Sequence, residues 1–224
     1  MNVERTKGLV RRAAVYAALA DPTRLRIVDL LSAGDASPSE LANLLAMPSN
    51  LLAHHLNVLE AEGLVRRRRS EGDRRRSYLH LVSDDLANLM PVASHSAQRV
   101  LFVCTANTAR SHLAVALWRR SSNVSAASAG THPTARIDPR AIAAAARHHL
   151  PMRRVRPQQI SDVHRDGDLV ITVCDLAHEE LGGHADLHWS IPDPVRVGND
   201  QAFDEAFESI AQRVSLLAPQ LAVS

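Results

Sequence analysis

The 224 residues exceed the usual single-domain size of about 100 to 200, which predicts two compact domains. Hydrophobic residues make up 46% of the chain and charged residues 22%, with only 9 Gly and 11 Pro, a balance that excludes collagen, coiled-coil fibre and wholesale disorder. The net charge is +2; residues 1–97 carry 13 basic and 11 acidic side chains, residues 98–224 carry 13 of each, so the excess lies in the first half. No stretch approaches the roughly 20 apolar residues of a membrane span, and residues 1–12 are charged where a signal peptide is apolar. A cytoplasmic protein without a membrane partner is expected. Its two cysteines, Cys104 and Cys174, are too few for a disulfide scaffold or a cysteine zinc cage. A sparse cysteine in a reducing compartment is instead a candidate nucleophile or redox thiol.

In chain order, apolar residues recur at helical spacing over 9–20, and Asp21-Pro22-Thr23 stops that helix and caps a second over 24–31. Ser37-Pro38-Ser39-Glu40 starts a short helix over 40–45, and Met47-Pro48-Ser49 starts a third that runs to about Glu60 and stops at Gly63. Residues 64–69 and 77–82 read as strands, with Gly72 and Asp73 suited to a tight hairpin turn. Helix, helix, turn, helix and basic hairpin make a winged helix-turn-helix. Another helix is expected over 84–98, started afresh at Pro91, and the domain boundary falls near 94–99. The division is therefore 1–97 and 98–224. Beyond it, short apolar runs at 100–103, 124–127 and 169–173 alternate with helical segments at 111–120, 139–149 and 202–217. That alternation predicts an α/β domain with a central parallel sheet covered on both faces.

In the first domain a helix laid in a major groove reads bases with short polar side chains while a basic hairpin grips phosphates. Ser49, Asn50, His54 and Asn57 fall on the expected outer face of the third helix, and Leu51, Leu52, Leu56 and Leu59 on its buried side. The wing holds Arg66, Arg67, Arg68, Arg69, Arg74, Arg75 and Arg76 against only Glu71 and Asp73, a local excess that suits a polyanion and makes binding salt-dependent. The runs Ala18-Leu-Ala-Asp-Pro-Thr-Arg-Leu-Arg-Ile27, Ser39-Glu-Leu-Ala42 and His55-Leu-Asn-Val-Leu-Glu-Ala-Glu-Gly-Leu-Val65, with the Arg-rich wing up to Tyr78, resemble the ArsR-type winged-helix repressors over about residues 9–82. The resemblance implies a homodimer, built on its first and last helices (7–20 and 84–98), that binds double-stranded operator DNA. The Cys-x-Cys pair of arsenite-sensing members is missing from 37–42, so a thiolate metalloid sensor in this domain is excluded. His80 and His95, and the His54-His55 pair, read as ordinary histidines rather than metal ligands; no metal site is expected.

In the second domain Cys104-Thr-Ala-Asn-Thr-Ala-Arg110-Ser111 has the form Cys-x5-Arg-Ser at a strand-to-helix turn. A loop wrapped at a helix N-terminus aims backbone N–H groups at a tetrahedral oxyanion. The same dipoles, with Arg110 and the Ser111 hydroxyl nearby, are expected to depress the Cys104 thiol below its free value of about 8.5 and keep it nucleophilic. A planar guanidinium forks onto two oxygens of the anion. Asp193, between Pro192 and Pro194 in a stiffened loop, is the candidate proton donor for the departing oxygen. This constellation, with Ser128-Ala-Gly-Thr-His-Pro133, Val170-Ile-Thr-Val-Cys-Asp175 and His188-Trp-Ser-Ile-Pro-Asp-Pro194, resembles the low-molecular-weight protein tyrosine phosphatases and the arsenate reductases of the same fold over about residues 99–217.

The resemblance implies that Cys104 is the nucleophile and that Thr105, Ala106, Asn107, Thr108 and Ala109 form the anion-binding loop. Arg110 is then the clamp, Ser111 the thiolate stabiliser and Asp193 the general acid. Phosphotyrosine enzymes carry aromatic residues just after Asp-Pro, whereas Val195-Arg196 follows here, which turns the expectation toward arsenate reduction and arsenic resistance. Cys174 matches the second redox cysteine of thioredoxin-linked reductases, while Leu181 stands where their third would be and Val115 where some have a cation-site glutamate. Cys174 therefore closes onto Cys104, or a small thiol such as mycothiol or glutathione does the reducing, or Cys174 is a small buried apolar residue. No tightly bound cofactor is expected; the external reductant is mycothiol, glutathione or a thioredoxin system. His178, His184 and His188 fit no zinc pattern, and Trp118 and Trp189 read as packing residues. Two further readings stay open: a phosphatase acting on phosphotyrosine or small phosphoesters, and a non-catalytic oxyanion sensor that controls DNA binding.

Overall fold

The computed structural model describes residues 3–82, 95–153 and 155–223. It divides into two compact units, Met1–Arg69 with Arg75–Pro91, and Ser70–Arg74 with Val92–Ser224.

The first unit runs α1 (Val3–Leu19), α2 (Pro22–Ala33), α3 (Pro38–Leu44), α4 (Ser49–Ala61), β1 (Val65–Arg69) and β2 (Ser77–Leu81). Its helix starts are fixed by local chemistry. The Asp21 carboxylate accepts from the Arg24 N–H at 2.9 Å, and Pro22, which has no N–H to satisfy, opens α2. Ser37 and Glu40 form a reciprocal capping box at α3. Ile27, Leu31, Leu41, Leu52, Leu56, Leu59 and Leu79 close a core among α2, α3, α4 and the hairpin. Leu51, expected on the buried side of α4, is 46% exposed. The buried stripe runs through Leu52, His55, Leu56 and Leu59, one step round the helix from Leu51.

The hairpin pairs antiparallel from Val65↔Leu81 to Arg69↔Ser77 and then stops, leaving a seven-residue loop in place of the tight turn expected at Gly72-Asp73. Ser70 is the cause: its hydroxyl accepts from the N–H groups of Gly72 and Asp73 at 3.0 and 3.1 Å, folding the chain locally and competing with further strand pairing.

Of the helix expected over 84–98, residues 84–94 lie outside the described residues. Residues 95–97 are a strand, β3 (His95–Ala97), paired in parallel with β8 (Leu221–Val223). Pairing with a segment more than a hundred residues away overrides any local helical preference.

The second unit continues with β4 (Arg99–Cys104), α5 (Arg110–Ser121), β5 (Ser125–Gly130), α6 (Pro139–Arg147), α7 (Ile160–Val163), β6 (Asp168–Thr172), α8 (Asp175–Leu181), β7 (Leu187–His188), α9 (Pro194–Val197) and α10 (Asp200–Leu217), with a 3-10 turn at Ala218–Gln220 before β8. Four strands form a parallel sheet in the order β5-β4-β6-β7. The central strand β4 is buried along Val100, Leu101, Phe102 and Val103, the continuous apolar run that a strand covered on both faces requires. Phe102 packs against both Trp118 and Trp189, at ring-centroid distances of 5.8 and 5.5 Å. At the opposite end of β4, Arg99 forks onto Asp168 of β6 at 2.7 and 2.6 Å, pinning the register of the two strands. The short elements α7, α8, α9 and β7 carry too few residues for a periodicity to be read from the sequence.

Candidate functional sites

β4 delivers Cys104 to the carboxyl end of the sheet, and α5 begins at Arg110, so the five intervening residues wrap a loop at a helix N-terminus. The segment after β5 anchors this loop from outside. Thr131, His132, Thr134 and Asp138 donate their N–H groups to the carbonyls of Cys104, Thr105, Ala106 and Thr108 at 3.2, 2.8, 2.9 and 2.9 Å. In a trans peptide the N–H points opposite to the C=O, and no peptide bond among the described residues is cis. Tethering the carbonyls outward thus turns the amides toward the concavity. Gly130 makes the anchoring possible: a Cβ there would stand 2.7 Å from the Thr105 carbonyl oxygen and 3.0 Å from Asn107 Cβ.

Asn107 takes a left-handed φ of 46° and is fully buried. Its side-chain Oδ1 accepts from the Gln158 N–H at 2.9 Å, and its Nδ2 donates to Ser111 Oγ at 2.8 Å. With its lone pair so occupied, the Ser111 hydroxyl has its proton to offer Cys104 Sγ, 3.2 Å away. Beneath the loop His112 Nε2 lies 2.9 Å from the Asn107 carbonyl. A carbonyl only accepts, so Nε2 carries the proton. Burial pushes the His112 pKa down, against that bond.

Arg110 is buried and held at both ends of its fork: Nη1 donates to the Ile191 carbonyl at 2.8 Å, and Nη2 lies 3.3 Å from Asp193 Oδ2. Burial works against its charge, yet Cys174, Asp193 and Cys104 around it raise its pKa overall. Asp193 is the last residue of the loop expected for it and the N-cap of α9, where Oδ1 accepts from the Val195 N–H at 3.0 Å. The second oxygen is left toward Arg110. Cys104, Arg110, Ser111 and Asp193, some ninety positions apart in sequence, are thereby brought together.

Cys174 follows β6 and caps α8, adjacent in the sheet to Cys104 because β4 and β6 pair. Both thiols are free and buried. The N–H and hydroxyl of Thr105 lie 3.2 and 3.4 Å from Cys174 Sγ. Burial pushes the Cys174 thiol up, opposed by Arg110. Next to it, Asp175 meets His188 at 3.3 Å, and His188 stacks on the His178 ring at a centroid distance of 4.1 Å. Burial raises the Asp175 pKa, but the bond from His188 leads the contacts that hold it below the ordinary range. Among the described residues no group of three metal-ligating side chains is arranged to hold an ion.

The cleft over the loop encloses about 640 Å³ and is walled by Thr108, Arg136, Ile137, Leu176 and Val195 around Cys104 and Arg110. Among the described residues no aromatic side chain lines it. The sequence placed Gly130 within a motif without showing what it does, and did not reveal Asn107's bond to Gln158, 51 residues on, or the part played by His112.

In the first unit Ser49, Asn50, His54 and Asn57 are all exposed on α4, whereas His55 is buried, 3.6 Å from Asp21. Arg66, Arg67, Arg69, Arg74, Arg75 and Arg76 are exposed and Arg68 half-buried. Arg67 pairs with Glu60 at 3.2 Å.

A sheet whose central strand ends in a cysteine at a helix-anchored loop, joined in one chain to a helix-turn-helix unit, defines a regulator fused to a phosphatase-fold domain. The chain belongs to the low molecular weight phosphotyrosine protein phosphatase family, whose model matches residues 99–224, and a helix-turn-helix domain model matches residues 19–68. The N-terminal part is 35% identical over 51 residues to the transcriptional repressor SdpR of Bacillus subtilis. It is also 35% identical over 60 residues to an uncharacterised helix-turn-helix regulator, MJ1325, of Methanocaldococcus jannaschii. These matches cover 23% and 26% of this chain, and 57% and 67% of those proteins.

Among solved structures, the tyrosine phosphatase Wzb from Escherichia coli K30, in complex with sulphate, is similar at 26% identity and a TM-score of 0.50. The likeness covers 55% of this chain and 96% of that one. Arsenate reductase from Archaeoglobus fulgidus is similar at 29% identity and a TM-score of 0.47, over 53% and 98%. No helix among the described residues is long and apolar enough to cross a membrane.

Proposed function

We propose that the second unit is a thiol-dependent arsenate reductase and that the first binds operator DNA as a homodimer, the two serving arsenic resistance. The observation that carries the enzymatic reading is Cys174 Sγ lying against the first amide of the Cys104 loop, beside a cleft that no aromatic side chain of the described residues lines. Cys104 sulfur attacks arsenic(V), with Asp193 giving a proton to the oxygen that leaves as water. Cys174, or an external thiol, then attacks Cys104 Sγ; the sulfur–arsenic pair of electrons stays on arsenic, which departs as arsenite, and a disulfide remains. Mycothiol, glutathione or a thioredoxin system reduces that disulfide and restores both thiols. The reading of α4 rests on its row of exposed polar residues and the wing arginines, and the dimer on exposed Val10 and Tyr16 of α1.

The test is arsenate reduction by the wild type, Cys104→Ser and Cys174→Ser with thioredoxin, glutaredoxin and mycothiol systems in parallel. Wild type turns over and Cys104→Ser does not. Loss in Cys174→Ser with every system assigns the internal disulfide, whereas retention with a small thiol assigns the external route. No arsenate turnover by wild type with any system overturns the reading. The second reading, a phosphatase acting on phosphotyrosine or small phosphoesters, is favoured by the family match and by the likeness to Wzb. Aryl-phosphate hydrolysis far exceeding arsenate turnover selects it. Turnover of neither substrate leaves a non-catalytic oxyanion sensor.

A further inference from the structure

A second cleft, of about 540 Å³, opens in the phosphatase-fold unit away from Cys104. Its apolar floor is Val115 and Ala116 of α5, Ala126 of β5 and Leu150 after α6, all buried. Among the described residues its rim carries the guanidinium groups of Arg119, Arg120 and Arg153 and no carboxylate. Arg119 spends one N–H on the Ala126 carbonyl at 3.1 Å. Among the described residues none of the three arginines is in an ion pair with Asp or Glu, in a unit where Arg99, Arg140 and Arg147 each are. Burial and the neighbouring charge of Arg153 both lower the Arg119 pKa. Like charges converging without a counter-ion at the mouth of an apolar cleft are the arrangement that an added anion relieves. One wall is His112, whose ring joins Ser128, at 3.4 Å, to the Asn107 carbonyl of the Cys104 loop.

We propose that this cleft is a second ligand site, for a small organic anion whose charged head is gripped by Arg119 and Arg153 and whose apolar body lies on Val115, Ala116, Ala126 and Leu150. It takes one molecule per chain, independently of the oxyanion at Cys104. Inorganic oxyanions, lacking an apolar body, are poor ligands there.

The probe is 8-anilinonaphthalene-1-sulfonate, titrated by fluorescence into the full chain with the Cys104 loop saturated by vanadate. One saturable site per chain is expected. Arg119→Gln with Arg153→Gln weakens it at least tenfold, while Arg12→Gln with Arg26→Gln, an equal loss of charge elsewhere, leaves it within twofold. N-phenyl-1-naphthylamine, the same body without the sulfonate, binds the wild type at least tenfold more weakly than the sulfonate. An unchanged far-UV circular dichroism spectrum and cooperative thermal unfolding of the Arg119/Arg153 variant verify that it is folded. Displacement of the dye by vanadate, equal weakening by both double variants, or equal binding of the uncharged analogue overturns the proposal.

Discussion

The face of α4 with the wing arginines and the loop after Cys104 are built in opposite ways. Ser49, Asn50, His54, Asn57 and most of the wing arginines are exposed, so on the proposed reading they would meet a ligand through water and salt, each with a modest, separable part of the affinity. Around Cys104, Asn107, Arg110 and Ser111 are buried, and the contacts run in series: the Gln158 backbone fixes Asn107, Asn107 fixes Ser111, Ser111 faces the sulfur. Removing one member of such a chain disturbs all of them. A surface built from independent contacts tolerates loss gradually; a buried constellation fails at once.

The sharpest way to break that contrast is Cys104→Ser, which should reduce turnover of the preferred substrate by on the order of 10³-fold or more, because no other group supplies the attacking atom. Steady-state kinetics measure it, and residual activity within tenfold of wild type would mean the chemistry lies elsewhere. Asp193→Asn should cost about 10²- to 10⁴-fold in kcat, the range for a lost general acid. The loss should shrink for a substrate whose leaving group needs no proton, and an equal loss for all leaving groups would assign Asp193 to positioning Arg110 alone.

Next in size is the buried pair at the far end of the sheet. Asp168→Asn should destabilise the second unit by about 3 kcal/mol, since Arg99 is left without its counter-charge. Burial raises the Asp168 carboxyl, but the Arg99 hydrogen bond and charge outweigh it and lower the pKa. A lowered folded-state pKa stabilises above the unfolded value of about 3.9 and is lost as pH falls through the folded value. Denaturant unfolding of wild type and variant should therefore differ fully at pH 7, begin to converge below about pH 4 and coincide only once pH has fallen through the lowered folded-state value; a difference that did not shrink in acid would exclude the pair as its source.

The smallest effects belong to the wing. Arg69→Gln and Arg76→Gln should each reduce the slope of log affinity against log salt by about 1, with little change in sequence preference. A loss confined to one operator sequence would make the residue a base reader.

Much of the reader was legible because its signals are local: Asp21 and Ser37 cap the helices that follow them, and the apolar stripe of α4 repeats at helical spacing. Leu51 was not, because a residue at the edge of a stripe is placed by the neighbours it meets. The extended loop between β1 and β2 hinged on whether Ser70 or Gly72-Asp73 turns the chain, which Ser70 decides through its hydroxyl. In the second unit the Cys-x5-Arg-Ser motif marked the loop, and the Asp-Pro signal marked Asp193 without revealing that it caps α9.

The sequence by itself determined the order of the longer elements, the two-part organisation and the residue types able to bind an oxyanion, because capping, periodicity and charge act over a few neighbouring residues. Only the tertiary structure decided which of those residues meet. Parallel strand pairing set Cys174 beside the Cys104 loop, the tight approach at Gly130 allowed the loop to be anchored, and the pairing of β3 with β8 turned residues 95–97 into a strand. Those outcomes depend on contacts between segments tens to more than a hundred residues apart, whose energies no local pattern carries.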